Sequence, residues 1–150
     1  KSVFSLIPAL ADAEFVKYGV MHRNSYICAP KYLNADFSVK GYENLYIAGQ
    51  LSGVEGYMES TASGLVAGIA LANKILGKSI DLLPKTTIIG AVVNYLTTAS
   101  EVNFQPMNAN FGILPPLDVK IKDKALKKLA YTERAINDIK NYKENNNDTI

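Results

Sequence analysis

A glycine-rich turn, Gly49 to Tyr57, carries the residues of this chain that are best suited to holding a ligand. Glycines at 49, 53 and 56 let the backbone bend sharply and let a ligand approach without obstruction by Cβ atoms. A helix that begins after such a turn offers N–H groups and its positive dipole end to an anion or an electron-rich ring. The candidate ligand contacts are Gly49, Gln50, Gly53, Val54, Glu55, Gly56 and Tyr57.

The glycine spacing limits what this turn can be. It does not match G-x-G-x-x-G, so the turn is not the primary dinucleotide-binding fingerprint. Polar Gln50, Ser52 and Glu55 crowd the turn, which favours a binding role. An ordinary strand, turn and helix with a tight connection remains the alternative interpretation.

A second cluster of chemically useful side chains is His22, Arg23 and Asn24, which lies between two apolar segments. It combines a flat ring, a bidentate anion clamp and an amide. An imidazole also titrates close to neutral pH, which suits acid–base work. His22 is the only histidine of the chain, and a lone histidine more often forms structural hydrogen bonds, so that alternative stays open.

The elements around the turn are predicted from apolar content and turn residues. Asn44 to Gly49 has the β-branched and aromatic content of a strand that is buried on both faces, inside a sheet. Ser52 and Glu55 have the spacing of a capping box, which predicts a helix from about Glu55 to Leu76, with Gly77 placed to end it. Apolar residues surround this helix, so it should be buried nearly all round.

Before the turn, the patterns predict a short helix or turn at Ser2–Leu10 and a hairpin or loop at Lys31–Tyr42. Between them, Glu14–Val20 and Arg23–Cys28 are predicted to form two strands or one long bent strand. After it, Thr86 or Thr87 can cap a second helix that ends near Ser100. The segment Phe104–Leu117 has three prolines and is irregular, but it is too apolar for an exposed connector. We expect it to pack down and to leave Gln105, Asn108 and Asn110 as placed polar groups.

The end of the chain is more polar. Asp123 can cap a helix that runs to about Tyr142, with Leu126, Leu129, Ala130, Ile136 and Ile139 on its apolar side. The segment Lys143–Ile150 is rich in asparagine and is predicted to fray or to be disordered.

Composition bounds the class of protein. At 150 residues and a net charge of +2, the chain has the size of one globular domain and neither requires nor excludes a nucleic-acid partner. One cysteine allows no internal disulfide, no metal site is predicted, and no apolar run reaches the ~18 residues of a membrane span. Lys1 is not an initiator methionine and no secretory signal follows it, so we expect the interior of a longer protein.

Four segments occur in order: YGVMHRNSYI at 18–27, NLYIAGQLSGVEGYMESTASGLVAGIALA at 44–72, TTIIGAVVNYLT at 86–97 and FQPMNANFGILPPL at 104–117. Together they resemble the TrmFO family, the folate- and FAD-dependent tRNA uracil-5-methyltransferases. The second segment also resembles the later flavin-binding segment of flavoproteins with two dinucleotide-binding domains. The resemblance covers most of the chain up to about Leu117.

This resemblance implies an α/β fold, the C-terminal portion of a two-dinucleotide-binding-domain FAD protein with a Rossmann-like FAD/NAD(P)-binding architecture. Its core would be a strand, a glycine turn and a buried helix, with added helices. The implied divisions are a strand-rich substrate-side segment (1–42), part of the FAD-binding domain with a packed loop (43–117), an amphipathic helix (118–142) and a disordered tail (143–150).

The resemblance also implies a reaction. Methylenetetrahydrofolate would supply one carbon to C5 of a T-loop uridine in tRNA, reduced FAD would complete its conversion to a methyl group, and NAD(P)H would reduce the flavin. Such an enzyme would make ribothymidine in the cytoplasm. The N-terminal FAD-binding half and the catalytic cysteine chemistry are expected upstream of Lys1, so no catalytic residue is assigned within this chain, which alone would lack half its site.

Residue roles follow by the same resemblance. The turn from Gly49 to Tyr57 would hold the flavin, and folate would be held by His22, Arg23, Asn24, Gln105, Asn108 and Asn110. A thiolate that attacks C6 of uracil is a natural route to methylation, but Cys28 has no neighbouring base except Lys31 and is predicted to be a buried, inert thiol. Candidate tRNA phosphate contacts are Lys122, Lys124, Lys127 and Lys128, although an ordinary solvated helix face is the simpler interpretation.

Three other functions fit parts of the pattern. A GidA-like flavoprotein that modifies the tRNA wobble uridine shares AGQ-x-x-G-x-x-GY, but the MHRN and FQPMN motifs favour the methyltransferase. A flavin disulfide reductase would need a redox cysteine pair, which this segment lacks. The third is a non-catalytic RNA-binding or interaction module derived from the fold.

Overall fold

A computed structural model of the chain describes residues 3–16, 19, 24–79 and 81–146. These residues form an α/β structure in which a two-stranded antiparallel sheet and four α-helices are joined by 3-10 turns and loops, which confirms the predicted class. In chain order the elements are α1 (Ala29–Tyr32), β1 (Ser38–Val39), β2 (Tyr42–Tyr46), α2 (Tyr57–Ile75), α3 (Ile88–Thr98) and α4 (Lys124–Asn145). The 3-10 turns are Phe4–Leu6, Pro8–Leu10, Gly49–Ser52 and Phe111–Ile113.

Before the glycine turn, the described residues contain less strand than predicted. Residues 14–16, 19 and 24–28 form no strand, so the strands predicted at Glu14–Val20 and Arg23–Cys28 are wrong as far as those segments are described. Ile27 instead donates one backbone hydrogen bond to the Leu51 carbonyl at 2.9 Å. Pro30 then stands in the first turn of α1, where its fixed φ favours a helix start.

The strand that leads into the turn lies at the edge of a small sheet. Residues 31–42 turn back as a hairpin that pairs β1 with β2, as predicted. The buried strand predicted at Asn44–Gly49 is wrong, because β2 spans Tyr42–Tyr46 and its first four side chains are exposed. Within the described residues β1 is its only partner. Apolar content alone cannot distinguish a strand with one neighbour from one in the middle of a sheet.

Helix α2 is buried along one stripe only. Its buried residues are Ser63, Ala67, Ala70 and Asn73, spaced three or four positions apart, on a helix that contacts α3 and the 3-10 turn at Gly49–Ser52. Leu65 and Ile75 are 60% and 75% exposed, so the prediction of burial nearly all round is wrong for the described chain. Gly77, just beyond the helix, has a left-handed φ of 66° and fulfils its predicted role as terminator.

The core is formed by α1, α3, the glycine turn and the loop that follows α3. Thr87 caps α3 by accepting a hydrogen bond from the Gly90 N–H at 3.1 Å, and the helix ends at Thr98, which confirms the predicted second helix. Phe104 packs among Leu33, Val54 and Leu96 in the largest buried cluster. The segment Phe104–Leu117 is packed down at Phe104 and Leu114, as predicted, whereas Phe111 is 44% exposed.

Helix α4 begins where predicted and continues further. The Asp123 carboxylate accepts hydrogen bonds from the N–H groups of Ala125 and Leu126 at 2.9 Å. The helix runs to Asn145, and Asn146 is 7% exposed, so the predicted disorder of the tail is wrong for residues 143–146, while 147–150 lie outside the described residues. Of its side chains only Tyr131 is buried, so the amphipathic pattern is present but its apolar side is largely uncovered in the described chain.

Polar contacts hold α4 against the preceding loops. The Arg134 guanidinium donates to the carbonyls of Pro115 and Pro116 at 2.7 and 2.8 Å. Near the end of the helix, the Tyr142 hydroxyl donates to the Asp81 carbonyl at 2.9 Å. Among the helices of the described ranges, none combines the length and the apolar character that crossing a membrane requires.

Ionisation of Tyr142 makes the free energy of unfolding depend on pH in the alkaline range. Burial, and secondarily the negative charge of Asp81, raises the pKa of Tyr142 above its ordinary value of 10.0. The stabilisation is therefore complete below about pH 10 and is lost as pH rises through the raised pKa of the folded chain. Tyr142→Phe should lower the free energy of unfolding at pH 7 by about 0.5–1.5 kcal/mol, because the hydrogen bond to Asp81 is lost.

Above about pH 10, the Tyr142→Phe variant should lose less stability than the parent chain. Urea unfolding at a series of pH values measures both effects. Tyr57→Phe, at a ring that is 95% exposed, is the control and should leave stability at pH 7 unchanged. Identical pH slopes for the Tyr142→Phe and parent chains would contradict the prediction.

Candidate functional site

Both backbone groups of Gly49 are held by serine hydroxyls. The Gly49 N–H donates to Ser63 Oγ at 2.7 Å, and the Gly49 carbonyl accepts from Ser52 Oγ at 2.7 Å. The two serines are 3% and 0% exposed. Gly49 has a left-handed φ of 70°, and a Cβ built on it would meet no atom within 4 Å. The turn thus holds a bare backbone face against open space, as close approach of a ligand requires.

Gly53 is required for a different reason. Its φ is 92°, and a Cβ at this position would lie 2.7 Å from the ring of Phe104. The clearance that we expected Gly53 to give a ligand is therefore filled by a core side chain. This glycine allows the turn to pack closely against the core.

The turn is paired with the loop that follows α3. Val54 and Met107 form an isolated parallel bridge, in which the Met107 N–H donates to the Gly53 carbonyl and the Glu55 N–H donates to the Met107 carbonyl, both at 3.1 Å. Gly56, the next residue, has φ 105° and ψ 153°, which lies outside the helical region, so α2 begins only after it and Gly56 is its N-cap. The predicted capping box is therefore wrong, since Ser52 bonds to Gly49 instead.

The first turn of α2 is open to a ligand. Gly56 has no side chain with which to accept from the first N–H groups of the helix, and the carboxylate of Glu59 lies over Gly56, so this end already carries a negative charge. Tyr57 and Met58 are 95% and 80% exposed beside it. A mostly apolar cavity of about 200 Å³ adjoins this turn, and its lining includes Phe37, Met58, Glu59, Ser63, Ile88 and Ala109.

The loop residues predicted to bind folate are partly brought to this turn. Asn108 and Asn110 flank Ala109, which lines the cavity, and the Asn108 side chain is exposed. The Asn110 amide shapes the loop, because its Oδ1 accepts from the Gly112 N–H at 2.8 Å and its Nδ2 donates to the Asn108 carbonyl at 2.9 Å. Gln105 is exposed, and its carbonyl accepts from the Tyr95 hydroxyl at 2.9 Å.

The segment that holds Asn24 and Cys28 is bonded to the turn through the Ile27 N–H and the Leu51 carbonyl, but neither residue lines the cavity. His22 and Arg23 are outside the described residues, and Asn24 is half-buried in the segment before α1. Cys28 is half-buried, less than predicted, and its thiol donates to the Glu101 carbonyl at 3.7 Å. Helix α4 contacts residues 81–87 and 111–117. The candidate tRNA contacts lie just before and within the first turns of this helix, and all four are exposed: Lys122, Lys124, Lys127 and Lys128.

Two residues of the site were missed from the sequence. Ser63 holds Gly49 from the second turn of α2, and nothing in the spacing signals this contact. Glu59 accepts a hydrogen bond from the Ala109 N–H at 2.8 Å. Glu59 lies three residues after the N-cap Gly56, a position from which a carboxylate commonly accepts a hydrogen bond from a backbone N–H near the helix start. A prediction that began α2 at Tyr57 instead of Glu55 would have identified Glu59 as this residue. Over the described residues, no group of three or more His, Cys, Asp or Glu side chains could hold a metal ion.

The geometry is that of an α/β protein with a glycine turn open to a ligand, and comparison with known proteins assigns the class. The family model of glucose inhibited division protein A matches residues 1–79, more than half of the 150 residues. The chain belongs to this family.

Curated relatives specify the resemblance further. The chain is 52% identical over 145 residues to the methylenetetrahydrofolate–tRNA-(uracil-5-)-methyltransferase TrmFO of Staphylococcus epidermidis, a match that covers 96% of this chain and 33% of that protein. The proteins of the same name from Anoxybacillus flavithermus and Halalkalibacterium halodurans are 52% and 50% identical over 142 residues, which cover 95% of this chain and 33% of each relative. The resemblance to TrmFO proteins is thus confirmed. The chain spans about a third of the length of the curated relatives it matches.

Two glycine substitutions test the packing of the turn. Gly53→Ala should lower the free energy of unfolding by about 1–3 kcal/mol, because the left-handed backbone is strained and the new methyl group meets the Phe104 ring. Gly64→Ala is the matched control, since Gly64 lies in α2 with no atom within 4 Å of its Cβ position. It should stabilise the chain by roughly 0.5–1 kcal/mol. Urea unfolding measures both, and equal effects of the two changes would refute this account of Gly53.

Proposed function

We propose that this chain is the C-terminal part of a tRNA (uracil-5-)-methyltransferase that uses methylenetetrahydrofolate and FAD to make ribothymidine in the T loop. The observation that carries the proposal is the identity of about half of all positions, over 95–96% of the chain, to proteins that bear this name. The names support methylation of uracil more directly than modification of the wobble uridine, the activity of the GidA-like alternative. A tRNA substrate would place the enzyme in the cytoplasm.

The glycine turn is proposed to hold the flavin, as the later cofactor contact of a two-dinucleotide-binding protein with a Rossmann-like architecture. The supporting geometry is the open face at Gly49, the N-terminus of α2 and the exposed ring of Tyr57. Gln50, Val54, Glu55 and Gly56 complete the proposed contact set, and Gly53 supports it through packing. When bound, FAD would supply the reducing equivalents that convert the transferred carbon to a methyl group, and NAD(P)H would be their source.

The contribution of this chain would be to bind and orient the rings and to exclude water. The apolar cavity beside the turn supports that role, because its lining offers few groups that could hydrate a reacting centre. Folate would be held by His22, Arg23 and Asn24 together with the loop amides of Gln105 and Asn108. Asn110 would act through the shape of the loop, since its amide already makes three local hydrogen bonds.

The remaining length of the protein is proposed to cover the apolar surface that this chain leaves open. Leu45 on β2 and Leu65, Ile69 and Ile75 on α2 are 47–75% exposed. Covering such a side chain contributes about 1.5–3 kcal/mol, so this surface suits a permanent partner within one protein. The occupant would be the N-terminal FAD-binding half, which would also bring the catalytic cysteine chemistry.

The activity test uses the protein expressed at the full length of its relatives. With unmodified tRNA, NADPH and methylenetetrahydrofolate labelled at its one-carbon unit, we expect labelled ribothymidine in the T loop and bound FAD in the purified protein. Nucleoside mass spectrometry measures the product. Label at the wobble position would favour the GidA-like activity, while tRNA binding without flavin or product would favour the non-catalytic module. Either result would overturn the proposal.

The lysines at the start of α4 are proposed as tRNA phosphate contacts, supported by their exposure. Replacing Lys122, Lys124, Lys127 and Lys128 with alanine should weaken tRNA binding and reduce the slope of log Kd against log salt by about 0.9 for each phosphate that is no longer neutralised. Lys140 and Lys143, exposed near the other end of α4, provide the control double substitution. Equal slopes for the quadruple variant and the control would identify an ordinary solvated helix face.

A further inference from the structure

The Glu59 carboxylate joins two segments that are distant in sequence. Its Oε1 accepts a hydrogen bond from the backbone N–H of Ala109 at 2.8 Å. Glu59 is half-buried in the first turn of α2 and lines the apolar cavity together with Ala109. The carboxylate also lies over Gly56, where the α-carbon has no Cβ to displace it.

This contact acts together with the Met107 pairing, the Tyr95 hydrogen bond to the Gln105 carbonyl and the local hydrogen bonds of Asn110 to fix the loop. The Met107 backbone is paired with Gly53 and Glu55 through its N–H and its carbonyl. Asn108 therefore lies between two anchored positions, Met107 on one side and Ala109 on the other. Its side chain is exposed. The Met107 anchor uses backbone groups only, so Glu59 is the side chain on which the second anchor depends.

We infer that Glu59 is a positioning residue, which holds Ala109 and thereby sets where Asn108 stands relative to the glycine turn. The inference rests on the proposed function, in which the turn holds flavin and Asn108 faces folate. A hydrogen bond to a carboxylate is stronger than one between neutral groups, which suits a contact that fixes a loop beside a binding cavity. Loss of the acceptor would leave the Ala109 N–H unpaired and allow the loop to move.

Three substitutions of Glu59 in the full-length protein separate the effect of its charge from the effect of its side-chain length. Glu59→Gln keeps an acceptor oxygen at the same length but removes the charge. Glu59→Asp keeps the charge but shortens the side chain by one methylene, so its carboxylate should not reach Ala109. Glu59→Ala removes both, and Glu133→Ala, at an exposed position of α4, controls for the loss of a glutamate elsewhere.

The expected kinetic result is a change in KM with little change in flavin content. Glu59→Ala should raise KM for methylenetetrahydrofolate about tenfold, a ratio that corresponds to about 1.4 kcal/mol. Glu59→Asp should show a smaller rise in KM. Glu59→Gln should stay within about twofold of the parent, because it keeps the hydrogen bond to the Ala109 N–H. Glu133→Ala should also stay within about twofold of the parent, because it leaves Glu59 intact. Absorbance at the flavin band measures FAD for each protein.

Amide hydrogen exchange of residues 104–110 in the same proteins provides a readout that does not depend on activity. Exchange should be faster in Glu59→Ala and Glu59→Asp, and unchanged in Glu59→Gln and Glu133→Ala. Unchanged exchange and unchanged KM in Glu59→Ala would overturn the inference. Equal loss of FAD in the Gln and Ala variants would also overturn it, because the charge rather than the loop contact would then matter.

The two proposals fail in distinguishable ways. A parent protein that makes no ribothymidine would overturn the proposed function, whereas the exchange data would still decide whether Glu59 holds the loop. An active parent with equal exchange in all variants would overturn the role of Glu59 alone.

Discussion

The backbone pairing between Val54 and Met107 is the constraint on which the fold and the candidate site both depend. It joins the glycine turn to the loop after α3, and it places Phe104 against Gly53 in the main buried cluster. The pairing extends to Glu55, and α2 begins at Tyr57, after Gly56 with its non-helical backbone. The same constraint therefore determines where the helix N-terminus stands and which loop residues lie beside it.

Within this frame, the glycines of the turn have separate physical roles. Gly53 accommodates an aromatic ring, and Gly56 leaves space for the carboxylate of Glu59. Gly49 differs, because two buried serines fix its backbone while the space where a side chain would stand is open. Of the glycines at 49, 53 and 56, Gly49 is thus the one whose lack of a side chain leaves room for an external group. Sequence patterns treat these three positions alike, and only the packing separates them.

How much of this was predictable depends on the range of the interactions involved. The cap of α3 by Thr87, the end of α2 near Gly77 and the cap of α4 by Asp123 are local, and each was found from neighbouring residues. The start of α2 was missed because Gly53 and Glu55 pair with Met107, far away in the chain, and the backbone stays non-helical through Gly56. The roles of Ser63 and Glu59 were missed for the same reason, since their partners lie 14 and 50 residues away.

The exposed apolar side chains follow from a related cause. The sequence predicted that β2 and α2 would be buried, and the residue types agree with that prediction, but within the described chain only one stripe of α2 meets a neighbour. Apolar content reports the environment of a segment in the whole protein, whereas the structure reports the contacts of a chain that spans about a third of its relatives' length. The two descriptions agree if the apolar surfaces of α2 and β2 contact the rest of the protein. The glycine turn is held by residues of this chain, through its pairing with Met107 and its packing against Phe104. It would therefore be formed before the rest of the protein contacts α2 and β2.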